Sequence, residues 1–120
     1  METPFQTAQR LLAALEEFAS QEAVLLRSLD LVEAVQISER AAPLVEKLCS
    51  LAIDPGVATL RPRVEELVAQ RRRNAVLLDA HLGRLQGELR RIDEARLRLS
   101  RVAPVYGGGA PTESRLNTAA

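Results

Sequence analysis

The chain has 120 residues, 16 basic and 16 acidic side chains, and only three aromatics. That length suggests one domain, and the Leu, Val and Ala content points to an aliphatic helical bundle or coiled coil. The composition excludes an aromatic stacking platform for single-stranded nucleic acid, and a lone cysteine, Cys49, excludes a disulfide framework.

Thr3-Pro4-Phe5-Gln6 reads as a helix start: Thr3 caps, Pro4 suits the first helical position and Gln6 completes a capping box. The first helix is expected to run to about Arg27, with an apolar stripe of Ala8, Leu11, Leu12, Leu15, Phe18, Ala19, Leu25, Leu26 and Leu29. Glu22 falls in the middle of that face. Burying it alone is costly, so it is expected at the edge of the contact or paired with an arginine.

Ser28-Leu29-Asp30 is the next break, with Ser28 or Asp30 as cap and Glu33 in the first turn of a second helix over about 31–52. Its apolar face is weaker: Leu31, Val32, Val35, Leu44, Val45, Leu48 and Leu51. Pro43 lies inside it and predicts a kink or break near Ala41. Asp54-Pro55-Gly56 then forms a turn.

Thr59 is expected to cap a third helix that continues to about Arg101. From Val64 to Leu99 a 4-3 spacing collects Val64, Val68, Arg71, Ala75, Leu78, Leu82, Leu85, Leu89, Ile92, Arg96 and Leu99 on one stripe. A helix over this stretch runs roughly 54 Å, too long for a small domain to hide. Either the rest of the chain or another chain covers it. After Pro104 the sequence lacks the apolar spacing to fold alone, so 104–120 is expected to be a flexible, disordered tail. The fold class expected is all-α: an elongated antiparallel three-helix bundle or hairpin over 1–103, with one long C-terminal helix.

Charge is divided along the chain. Residues 1–58 carry four basic and nine acidic side chains, whereas 59–103 carry eleven basic and six acidic. Either the acidic part packs beside the basic helix, or the basic helix meets an acidic partner. No apolar run suits a membrane span, and no basic region precedes a hydrophobic N-terminal segment, so a cytoplasmic location is expected.

Little in the sequence carries chemistry. His81 has no second His or Cys at metal-ligand spacing, so no metal site is expected. Cys49 has no neighbouring His to favour its thiolate and reads as a plain buried thiol. Arg71-Arg72-Arg73 is the densest basic cluster, yet balanced charge and the lack of a recognition motif argue for a solvated face, with Arg71 edging into the core, over nucleic-acid binding. Arg90 to Arg96 resembles the opening helix of the all-helical chorismate mutases, but no helices follow to build a pocket. No phosphate loop or nucleophile–base set is present, so neither an enzyme nor a cofactor is expected.

Three segments together resemble the FlgN-like flagellar export chaperones. Ser28-Leu-Asp-Leu-Val-Glu-Ala-Val is similar to a small-Gly-Asp-Leu-Glu-Ala-Leu turn between helices. Arg73-Asn74-Ala-Val-Leu77-Leu78-Asp-Ala-His-Leu82 is similar to an Arg-Asn-Gly-x-Leu-Leu-x-x-Arg-Leu stretch, and Tyr106-Gly107 stands in a tail of small and polar residues. Arg71 departs from the pattern where it often has Asn, His81 where it often has Arg, and Pro43 interrupts the second helix. The resemblance implies a chaperone that holds the C-terminal segments of hook-associated proteins. It places capture on Leu78, Leu82, Leu85, Leu89 and Ile92 with Asn74 beside them, and contact with the export gate on Tyr106. The alternative is a structural helical protein whose stripe is a homodimer interface.

Overall fold

The computed structural model describes residues 1–102, all of whose regular structure is helical. Helix α1 spans Pro4–Arg27, α2 Leu31–Leu51 and α3 Arg61–Val102, with a short 3-10 helix at Pro55–Leu60 before α3. The expected all-α class with one long C-terminal helix is present. The expected tail and Tyr106 lie outside the described residues.

The start of α1 forms as its sequence dictates. The Gln6 amide donates to Thr3 Oγ1 at 3.1 Å and the Thr3 amide donates to Gln6 Oε1 at 3.0 Å, completing the capping box. At its other end the Asp30 amide reaches the Leu25 carbonyl at 2.9 Å and the Leu29 amide the Leu26 carbonyl at 3.2 Å. These two bonds make a Schellman motif, which needs a left-handed residue at its centre. That residue is Leu29, with φ 63°. Leu29 is therefore turn backbone with an exposed side chain, not the last member of the α1 stripe.

Two expectations for α2 are corrected. Asp30 occupies the cap position, but its side chain makes no capping hydrogen bond. Of the kink or break expected near Ala41, the break is absent, since the helix continues through Pro43. Proline costs α2 one backbone bond, to the Glu39 carbonyl, and both residues lie on the exposed face, where water can satisfy that oxygen. The face that α2 buries is Ala34, Ile37, Ala41 and Leu48, with Leu44 and Leu51 half-buried, while Val32 and Val35 are exposed. Alanines at two of these positions let the α1–α2 hairpin close tightly, and this is the closest helix pairing in the structure.

Thr59 does not cap α3 but lies within the 3-10 helix. Asp54 caps that helix, its Oδ1 accepting from the Gly56 amide at 2.8 Å. Val57 and Leu60 point inward from this short piece and join a core of Ala8, Leu11, Leu12, Leu15, Ala19, Ala41, Leu48 and Leu67.

The chain divides into two compact units, Met1–His81 and the residues from Leu82 onward. Among the described residues, every buried one lies in the first. Every described residue of the second belongs to α3. Among the described residues, no helix is long and apolar enough to cross a membrane.

Candidate partner-binding surfaces

Within the first unit, the residues of α3 turned most deeply inward are Leu67, Asn74 and His81, one every seven positions. With Leu60, Val64, Arg71 and Leu78 they form the inward line. The expected stripe shares Val64, Arg71 and Leu78 with this line, but its members Val68 and Ala75 are exposed. Those two line the open cleft between α2 and α3 rather than the contact with α1.

Asn74 is the polar member of the deep line. It is 3% exposed. Its Nδ2 donates to the Ala19 carbonyl at 3.0 Å and to Glu22 Oε1 at 2.7 Å, and its Oδ1 accepts from Gln70 Nε2 at 3.0 Å. Glu22 is thus buried rather than at the edge of the contact, and it is paired through the Asn74 amide rather than with an arginine. Asn74, assigned by resemblance to a partner, spends its side chain on tying α3 to α1.

Ion pairs surround this contact. Arg63 pairs with Glu16 across α1 and α3 through both Nε and Nη2, and hydrogen bonding to that carboxylate raises the guanidinium above its ordinary pKa. Arg73 pairs with Glu66 at 3.2 Å and Arg61 with Glu65 at 3.5 Å. The charge division of the sequence is therefore partly met inside the unit, by the Glu16–Arg63 pair.

Beside the deep line, α2 and α3 stand apart over a cleft of about 470 Å³ floored by Leu15 of α1. Val45, Leu48, Val57, Val64 and Leu67 line one part, and Glu22, Ser38, Arg71, Arg72 and Asn74 bring the polar groups. Cys49 lies on the rim and is exposed, which corrects the expectation of a buried thiol: its position on α2 faces the cleft rather than α1. Leu78 of the expected capture set lines this cleft and is half-buried.

In the second unit no residue from Leu82 to Val102 is buried. Leu82, Leu85, Leu89 and Ile92 are 42%, 45%, 60% and 50% exposed, and Leu99 is 70% exposed. A Cβ added at Gly83 or Gly87 would meet nothing within 4 Å. Among the described residues, no group of three or more His, Cys, Asp and Glu side chains is placed to hold a metal ion.

Sequence reasoning missed the cleft. Its only early sign was Arg71, one of two charges, with Arg96, on a largely apolar stripe. Comparison of the chain with protein-family models, with curated proteins and with solved structures finds no match.

Proposed function

We propose that this chain is a non-enzymatic, cytoplasmic chaperone of flagellar type III export that holds the C-terminal segments of hook-associated proteins. The observation that carries the reading is the row Leu82, Leu85, Leu89 and Ile92, regularly spaced and exposed. A large apolar stripe left open to water marks a surface meant for a partner, and a helix face with 4-3 anchors suits a helical one. The specific partner rests on the resemblance of the turn and of the Arg73–Leu82 stretch. Leu29 adds support, because it holds a left-handed backbone at the position where the resembled turn carries glycine.

Calorimetry against C-terminal segments of hook-associated proteins tests the reading. Submicromolar binding that Leu85→Arg abolishes, with helical content intact, is the expected outcome. Binding of normal affinity after that substitution would remove capture from α3. Contact with the export gate falls to Tyr106 by the same resemblance, so Tyr106→Ala should impair secretion while client affinity stays unchanged.

A second reading takes the same stripe as a homodimer seam, favoured by its continuation to the exposed Leu99. Sedimentation of the full chain separates the two. A dimer that persists in saturating client peptide would favour the seam.

A further inference from the structure

The cleft between α2 and α3 in the first unit has the dimensions and charge of a docking groove. Its lining runs from Val64 to Leu78 along α3 and from Ser38 on α2 to Ala52, the residue that ends that helix. At about 1.5 Å per residue, each wall is about 21 Å long, close to four helical turns. A docked helix would lay one ridge of its side chains into a groove of this length, with its body resting on α2 and α3. That is ridge-into-groove packing, and it would complete a four-helix arrangement around the open side of this unit.

Charge selects among helices. Arg61, Arg63 and Arg73 each have a carboxylate partner. Arg71 and Arg72, the two arginines that line the groove, have none among the described residues. Arg71 is half-buried at the groove wall and has no counter-charge among the described residues. An incoming carboxylate would supply that charge and both hydrogen bonds of the guanidinium fork.

We propose that the α2–α3 groove seats one apolar ridge of an acidic amphipathic helix from another protein, about four turns long, with its flanking carboxylates on Arg71 and Arg72. The site is separate from the exposed row that begins at Leu82 and does not rest on the chaperone reading.

Cys49 gives a direct readout, since it is the chain's only cysteine, is exposed, and lines the groove. The probes are two synthetic peptides of about four turns, each with leucines at 4-3 spacing, one flanked by glutamates and the other by lysines. The glutamate peptide should bind the full-length protein and slow alkylation of Cys49 at least tenfold, and the lysine peptide should do neither. The double variant Arg71→Glu/Arg72→Glu, at positions that hold no native ion pair, should reverse that preference while circular dichroism stays unchanged. Leu85→Arg should leave both results unaltered, which separates this site from the proposed client surface.

Equal binding of the two peptides, or binding that leaves Cys49 reactive, would overturn the proposal. Protection of Cys49 by dodecanoate but by neither peptide would replace the helix with a small anionic amphiphile. Protection that rises with protein concentration alone would assign the groove to a second copy of the chain.

Discussion

The Nδ2 of Asn74 on α3 bonds both Glu22 Oε1 and the Ala19 carbonyl on α1, at 2.7 and 3.0 Å. A single amide thus satisfies a buried carboxylate and a helix carbonyl across 52 and 55 positions of sequence. An unmet buried acceptor costs about 1–3 kcal/mol, more for a charged group. Asn74→Ala should therefore lower the unfolding free energy by about 2–4 kcal/mol, read as the urea midpoint. Glu22→Leu combined with Asn74→Leu removes donor and acceptor together and should recover most of that loss. If Asn74→Ala costs no more than an exposed substitution, the bridge does not hold α3 in place.

Leu29 is held at φ 63° by the Schellman bonds that turn α1 into α2. A branched side chain there costs roughly 1–2 kcal/mol over glycine in the same backbone region. Glycine gives part of that back through its freer unfolded chain. Since the Leu29 side chain is exposed, its removal sacrifices little packing. Leu29→Gly should stabilise the protein by about 0.5–1 kcal/mol, seen as a higher thermal midpoint. A lower midpoint would mean that the leucine packs on a surface and is not merely tolerated.

Pro43 sits in the middle of α2 on its exposed face. Alanine restores the missing bond to Glu39 and removes the ring clash, an interior penalty of up to about 3 kcal/mol. The Glu39 carbonyl lies on the exposed face, where water can relieve part of that penalty. The expected gain for Pro43→Ala is about 1–2 kcal/mol, checked by denaturant unfolding and by slower exchange of the α2 amides. No change in either measurement would place the proline at a position where α2 has adapted without cost.

The ends of α1, the run of α2 and the length of α3 were legible because local signals specify them: the Thr3–Gln6 box, the apolar spacing and the Asp54 turn. Which residues of α3 lie deepest was not. Periodicity locates an apolar stripe, but which edge of it turns inward depends on what the opposing helix offers. Here α1 offers the Ala19 carbonyl and Glu22, which the polar Asn74 meets, while Val68 and Ala75 face the open α2–α3 cleft. The same limit hid the α2 face, where Ala34 and Ala41 matter through their small size rather than their hydrophobicity. The exposed row from Leu82 onward was legible as a stripe. That it is uncovered required the structure.

Gly83 and Gly87 lie within α3 beside that row, and neither position has a neighbour within 4 Å of an added Cβ. Glycine inside a helix costs about 0.8–1 kcal/mol relative to alanine, so Gly83→Ala/Gly87→Ala should stabilise this stretch by about 1.5–2 kcal/mol. Slower amide exchange from Leu82 to Ile92 is the measurement, because the core of the first unit makes global unfolding a poor reporter of this end. The functional consequence follows from preorganisation. If a partner binds Leu82, Leu85, Leu89 and Ile92 as a formed helix, part of its binding energy goes to suppressing fraying there, and the double alanine variant removes that cost. Client affinity should rise several-fold, mainly through a slower off-rate. Tighter amide protection with unchanged or weaker affinity would show instead that the partner needs the two glycine positions bare, with its own backbone approaching α3 too closely for a methyl group.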